Sequence, residues 1–239
     1  MRIQPIKGIG AAAMLLIGSP TMADILAAWD VNGVDVEAGA TSFPYTMNAT
    51  TNGINISGGE LSLGFDVPSE AANMYGFKFS AATHQTSLAD AVANNHYIQF
   101  TVTAETGYRF DLTSIEMNGQ SGTSGPDDIA LMSGVAGFTA GNEITSLTGR
   151  QGITGGWDTD TSGWGEAISL IDMQYQNLTS ATFRIYGWNS TGTASSGIRN
   201  LSGNDLIING TVETVPEPAV IGFISLGGIA LIAAKRVFR

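Results

Sequence analysis

Apolar and polar residues alternate along most of the chain between residues 24 and 214. The segment 60–67 places Leu61, Leu63, Phe65 and Val67 on one face, and a period of two is typical of a half-buried β-strand. The same alternation recurs at 75–80, 97–103, 108–112, 168–171, 182–188 and 206–212. Short strands separated by Gly, Asn, Ser and Asp predict an all-β domain, an antiparallel two-sheet sandwich that is jelly-roll-like.

One segment of this domain favours a helix instead. Residues 87–94 read Ser-Leu-Ala-Asp-Ala-Val-Ala-Asn, in which Ser87 suits the N-cap position. Asn94 and Asn95 would end the helix after two turns. We therefore expect a short helix just before the strand that begins near residue 97.

The composition of residues 24–214 excludes several classes of function. These 191 residues suit a single domain and carry 20 acidic and five basic residues, a net charge of −15. Such a charge argues against nucleic-acid partners, because their affinity depends on Lys and Arg. The chain has no cysteine and two histidines, which excludes disulfides, thiol catalysis and thiolate or histidine-rich metal sites.

Both ends of the chain have the composition of targeting segments. Residues 1–23 combine a basic start, an apolar stretch from Gly8 to Gly18 and a small-residue exit at Ala23, which predicts a signal peptide cleaved before Asp24. The last segment, 215–239, begins with Val215-Pro216-Glu217-Pro218. It continues with 16 uncharged residues, 219–234, and ends in a basic cluster, 235–239. The uncharged run predicts a single transmembrane helix, with the basic end cytoplasmic.

This three-part tail resembles the PEP-CTERM sorting signal of Gram-negative bacteria that make extracellular polysaccharide. The resemblance implies an inner-membrane-anchored precursor, which an exosortase cleaves near the Pro-Glu-Pro motif before the protein reaches the cell surface or is secreted. Val215, Pro216, Glu217 and Pro218 would then be recognised by that enzyme. The intervening domain is similar to a recurrent β-sandwich cargo of such proteins, in segments such as Trp29–Gly33, 91–108, 176–188 and 205–212. That cargo implies no catalytic residues.

An acidic turn is the candidate metal site. Asp158, Asp160 and Ser162 have the 1, 3, 5 spacing of a calcium loop, and Glu166 falls at position 9, so their oxygens would be the ligands. Position 12 is Ser169 instead of glutamate. The alternative is a turn whose Asp and Ser side chains bond to their own backbone.

Aromatic residues suggest a glycan-binding face. If Phe183 and Ile185 point into the core, Arg184, Tyr186 and Trp188 lie on the opposite face of the same strand, where their rings would stack against sugars. The alternative is that a loop or the second sheet covers Tyr186 and Trp188.

The sequence therefore predicts an exported, non-catalytic protein of the cell surface or extracellular matrix, associated with exopolysaccharide. Its alternatives are a carbohydrate-binding module and a small polysaccharide-active hydrolase. A Ser-His-Asp triad has little support from two histidines, whereas 20 carboxylates leave room for a hydrolase pair that spacing alone does not identify.

Overall fold

The computed structural model describes residues 23–32, 46–64, 76–80, 85–117, 119–151, 167–192, 195–199 and 202–215. The protein is mostly antiparallel β structure. Its first half contains β1 (Asp24–Trp29), β2 (Thr46–Asn48), β3 (Thr51–Asn52), β4 (Ile56–Leu63), β5 (Gly76–Ser80), α1 (Leu88–Ala93), β6 (Tyr97–Ala104) and β7 (Tyr108–Met117). Then follow β8 (Gly119–Ser121), β9 (Asp128–Ser133), β10 (Glu143–Leu147), β11 (Ile168–Ser169), a 3-10 turn (Met173–Tyr175), β12 (Ser180–Trp188), β13 (Ser195–Arg199) and β14 (Leu206–Thr214).

Two large antiparallel sheets contain most of these strands. The five-stranded sheet has the order β11-β7-β14-β1-β3, and the six-stranded sheet has the order β10-β9-β12-β6-β4-β2. The chain passes from one large sheet to the other at each connection from β1 to β4, between β6 and β7, between β7 and β9, between β10 and β11, between β11 and β12, and between β12 and β14. β1 and β14, the first and last of the described strands, pair with each other in the five-stranded sheet.

The main core lies between the inward faces of these two sheets. β1 and β7 supply Leu26, Trp29 and Phe110 from one side, and β6 and β12 supply Phe100 and Phe183 from the other. The Phe100 ring stacks on Phe183 at 5.3 Å between centroids and meets Trp29 edge-on at 6.1 Å. Aromatic contacts of this kind add to the stabilisation from burial, and the contact between Trp29 and Phe100 joins the two sheets.

A third, three-stranded sheet has the order β5-β13-β8. β8 lies in the connection from β7 to β9, and β13 lies in the connection from β12 to β14. Ile198 of β13 is 1% exposed and belongs to the main core. The small sheet therefore links two crossovers between the large sheets by backbone hydrogen bonds.

In β6 and β4, the alternation in the sequence predicted the buried residues correctly, whereas in the segment 168–171 Ile171 is 74% exposed. Ile98, Phe100 and Val102 of β6 are fully buried, and Leu61 and Leu63 of β4 are buried as well. The other two residues predicted with the β4 pair, Phe65 and Val67, lie outside the described residues.

The predicted helix is confirmed as α1. Ser87 accepts a hydrogen bond from the Asp90 backbone N–H at 3.2 Å, and Asn94 is the C-cap. The hydroxyls of Thr86 and Ser87 donate to the Asp90 carboxylate at 2.8 Å each, and these bonds lower the pKa of that carboxyl. Residues at the start of the helix thus fix where it begins.

The predicted signal peptide, apart from Ala23, and the predicted transmembrane helix at 219–234 lie outside the described residues. Within the described ranges, no helix has the length and apolar character needed to cross a bilayer.

Two glycines at strand irregularities provide a test of the packing. At Gly210, a Cβ would lie 2.3 Å from the Asp111 carbonyl oxygen and 2.7 Å from a methyl carbon of Leu26, whereas at Gly58 a Cβ would meet no atom within 4 Å. We expect Gly210→Ala to lower the free energy of unfolding by about 1–3 kcal/mol through overpacking. Gly58→Ala should change it by less than about 1 kcal/mol. Urea unfolding of both variants measures the difference, and equal effects would contradict this β7–β14–β1 packing.

Candidate functional site on the outer face of the six-stranded sheet

Strand β12 presents Arg184, Tyr186 and Trp188 on the side opposite Phe183 and Ile185, as the alternation predicted. Phe183 and Ile185 are fully buried in the main core. Tyr186, however, is 0% exposed as well, so its ring is not available to stack on a sugar. The prediction of an open row of three residues is therefore wrong at Tyr186.

A second, smaller core explains why Tyr186 is buried. Helix α1 lies against β12, and its Leu88 and Ala91 pack with Tyr186 and with Ala130 and Met132 of β9. Trp188 is partly buried at the edge of the same cluster. The alternative that these aromatic residues are covered holds for Tyr186, with a helix in place of the loop or second sheet that the sequence suggested.

Arg184 lies on the outer face of the six-stranded sheet, at the boundary between the part that helix α1 covers and the part that forms an open cleft. Its guanidinium carbon is 4.0 Å from the ring centroids of both Tyr97 and Phe138, and such cation–π contacts stabilise the cation. Nε donates to the Gln99 side-chain oxygen at 2.9 Å, and one terminal nitrogen donates to the Tyr186 hydroxyl at 3.3 Å. The side chain is therefore held from several directions by neutral groups.

Beyond Arg184, the outer face consists mainly of hydroxyl groups. The register aligns Thr101 with Thr182 and Thr103 with Ser180, and the paired hydroxyls lie 3.1 Å and 3.2 Å apart. The row containing Thr101 continues through Glu60 of β4 to Asn48 of β2. Cross-strand pairing therefore converts separate threonines of the sequence into a continuous polar surface.

Two shallow clefts lie on this surface, one on each side of the hydroxyl pairs. The first has a volume of about 400 Å³ and includes Asn48, Ser57, Glu60, Thr101 and Thr103. The second has a volume of about 610 Å³ and includes Gln99, Phe138, Ser180, Thr182 and Arg184. The ionisable residue among those lining the first cleft is Glu60, and in the second it is Arg184. The two clefts thus differ in the sign of their charge.

A third cleft of about 300 Å³ contains the carboxylates Glu143 and Asp172, together with Asn142 and Ser169. Glu143 accepts a hydrogen bond from the Gly141 backbone N–H at 2.8 Å, which gives it a role in stabilising the turn before β10. The hydrolase alternative, which the sequence left without an identified pair of carboxylates, can be tested at these two residues.

The candidate calcium loop, with Asp158, Asp160, Ser162 and Glu166, lies outside the described residues. Among the residues that are described, no group of three or more histidine, aspartate or glutamate side chains is arranged to hold a metal ion. Calcium binding at 158–166 stays a prediction.

Comparisons of the chain with protein-family models, with curated proteins and with solved structures find no match. Sequence reasoning placed Gln99, Thr101 and Thr103 on the outer side of β6 by their alternation with Ile98, Phe100 and Val102, but it did not identify them as a site. The missing information was the register between β6 and β12, which aligns their hydroxyls.

Burial raises the pKa of the Tyr186 phenol above its usual value, and the hydrogen bond from Arg184 partly opposes the shift. A folded-state pKa above the unfolded value means that the contribution of Tyr186 to stability is fully present below about pH 10 and is lost as the pH rises through the folded pKa. We expect Tyr186→Phe to flatten the fall in unfolding free energy above about pH 10. Urea unfolding at a series of alkaline pH values measures this slope, and an unchanged slope would show that Tyr186 is not buried as described.

Proposed function

We propose that this chain is an exported, non-catalytic protein of the bacterial cell surface or extracellular matrix, and that it binds polysaccharide through the outer face of the six-stranded sheet. The observation that carries this proposal is the polar surface formed by Thr101, Thr103, Ser180 and Thr182, with a cleft on either side. This function combines the matrix role expected from the export signals with the alternative of a carbohydrate-binding module.

The chemistry of this surface suits a hydroxyl-rich polymer. Threonine and serine hydroxyls both donate and accept hydrogen bonds, and Asn48 and Gln99 add amides that do the same. The clefts are wide and shallow, so contacts bridged by water are expected to supplement direct ones. A long polymer can lie across such a face without being enclosed, whereas a small ligand is usually bound in a deeper apolar pocket.

The strand order supports a jelly-roll fold for the domain. In the five-stranded sheet, four neighbouring strands have the order β1-β14-β7-β11, and in the six-stranded sheet four have the order β6-β12-β9-β10. A chain that forms two Greek keys while passing between two sheets produces these two strand orders. Double-sheet jelly rolls include lectin domains. A fold shared with lectins is compatible with glycan binding but does not by itself argue for it.

The proposed sorting role rests on the tail. The described strands end at Thr214 in β14, and Val215 is 42% exposed while its N–H bonds to the Gly107 carbonyl at 2.8 Å. The Pro-Glu-Pro motif therefore follows directly after a residue at the surface, which suits recognition by a separate enzyme such as an exosortase. The inner membrane would hold the precursor through residues 219–234 until cleavage.

Removal of residues 219–239 tests the sorting role. We expect the shortened protein to appear in the periplasm or medium, because the apolar run that would hold it in the inner membrane is gone. Cell fractionation followed by immunoblotting measures its location, with the full-length chain as the control. A shortened protein that is still embedded in the inner membrane would refute the tail assignment.

Paired substitutions at the hydroxyl surface test the binding role. Thr101→Val with Thr182→Val keeps the shape of both side chains and removes both partners of their mutual hydrogen bond, which limits the cost to stability. We expect retention on the exopolysaccharide of the producing bacterium to weaken on the order of tenfold, since two neutral hydrogen bonds are worth about 1–3 kcal/mol together. Co-sedimentation measures retention, and Thr211→Val, at a partly exposed position of β14 on the five-stranded sheet, is the control.

Two further measurements test the calcium site and the hydrolase alternative. If retention on the polysaccharide is lost when a chelator is added, calcium binding at Asp158 and Asp160 is supported. If reducing sugar is released from the polysaccharide, the hydrolase alternative is supported, with Glu143 and Asp172 as its candidate carboxylates. Failure of the unmodified protein to bind any polysaccharide would reject the binding role and leave a displayed structural protein as the remaining account.

A further inference from the structure

We propose that Arg184 makes the larger cleft selective for polysaccharides that carry carboxylate groups, that is, for polymers containing uronic acid. The inference rests on the proposed glycan-binding function and adds to it the class of sugar that is bound. It is carried by the geometry of Arg184 and by the groups that line its cleft.

The first step is that the guanidinium is fixed in position. Tyr97 and Phe138 each place a ring centroid 4.0 Å from its central carbon, and Gln99 and Tyr186 accept hydrogen bonds from two of its nitrogens. A side chain held in this way loses little further rotational freedom when a ligand binds, so less of the binding energy is lost to ordering. Preorganisation therefore favours recognition at this position.

The second step is that the charge of Arg184 is not neutralised by any described residue. Its partners among the described residues are a neutral amide, a neutral phenol and two aromatic rings, and no carboxylate of those residues forms an ion pair with it. The remaining terminal nitrogen, Nη2, has no hydrogen-bond partner among the described residues. A planar carboxylate is the group that a guanidinium edge binds most specifically.

The third step concerns the surroundings of the cation. Ser180 and Thr182 line the same cleft and supply hydroxyls for the neutral part of a sugar, while the ring of Phe138 supplies an apolar contact. Glu60 lines the neighbouring cleft, on the far side of the hydroxyl pairs. A uronate polymer would therefore be expected to place its carboxylates towards Arg184 and its hydroxyls towards Ser180 and Thr182.

The net negative charge of the domain repels an anionic polysaccharide at long range. A net charge of −15 for residues 24–214 repels a polyanion, but charges farther apart than about 8 Å are largely screened at physiological ionic strength. A partly buried pair at contact distance is screened much less. We therefore expect the preference for carboxylates to persist, or to increase, when salt is raised from low to physiological concentration.

The test compares two forms of one polymer. Full-length protein in a non-ionic detergent is applied to immobilised polygalacturonate and to the same polymer after methyl esterification, which removes the charge and keeps the sugar backbone. We expect the unmodified protein to bind polygalacturonate at least about tenfold more tightly, because a hydrogen bond to a charged group is worth roughly 1.5–3 kcal/mol.

Two substitutions assign the preference to Arg184. Arg184→Gln should bring the affinities for the two polymers to within about threefold of each other. Arg184→Lys should leave an intermediate preference, because lysine keeps the charge but lacks the planar pair of N–H groups with which a guanidinium binds a carboxylate. Arg109→Gln removes an exposed cation on the other sheet, one that is paired with Glu213, and should leave the preference unchanged. Thermal unfolding of each variant shows whether its fold is intact.

The outcomes distinguish this inference from the proposed function. Equal binding of both polymers by the unmodified protein, or preference for the esterified form, overturns the carboxylate preference and leaves glycan binding standing. A preference for polygalacturonate that folded Arg184→Gln retains in full overturns the role of Arg184. Binding to neither polymer, nor to the exopolysaccharide of the producing bacterium, overturns both proposals.

Discussion

The pairing of β6 with β12 is the constraint on which both the core and the candidate site depend. Seven consecutive residue pairs, from Ser180↔Thr103 to Tyr186↔Tyr97, join the two strands at the centre of the six-stranded sheet. On one face this register stacks Phe100 on Phe183, and on the other it brings Thr101 beside Thr182. A slip of one residue would exchange the two faces, so the same packing that stabilises the core also holds the hydroxyl surface in place.

Helix α1 divides the outer face of that sheet into two parts. Over the end of β12 near Tyr186, the helix excludes water and forms a second apolar core with β9. Towards Ser180, the same strand stays polar and partly exposed. Arg184 lies at the boundary, because its contacts with Tyr97 and Tyr186 belong to the covered part and its cleft belongs to the uncovered part. The position of a six-residue helix thus decides which residues of β12 are available to a ligand.

The sequence predicted what depends on local pattern and missed what depends on long-range pairing. Period two was enough to place Phe100 and Phe183 inside, and the N-cap at Ser87 was enough to locate α1, because both signals lie within a few residues. The burial of Tyr186 depends on a helix about 95 positions earlier in the chain, and no local pattern specifies that contact. The row of three on β12 was therefore predicted on the correct face, but its middle member proved to be covered.

The two arginines Arg109 and Arg184 show how the same side chain serves different purposes in this domain. Arg109 is 36% exposed and pairs with Glu213 at 3.0 Å across β7 and β14, an arrangement worth at most about 1 kcal/mol because water screens it. Arg184 is held by rings and neutral acceptors instead, so its charge is positioned without being cancelled by any residue that the structure describes. In a domain with four acidic residues for every basic one, a cation that pairs with none of the described carboxylates requires neighbours that keep them away. Tyr97, Phe138 and Gln99 supply those neighbours, and this arrangement is what makes Arg184 suited to meet a charge from outside the protein.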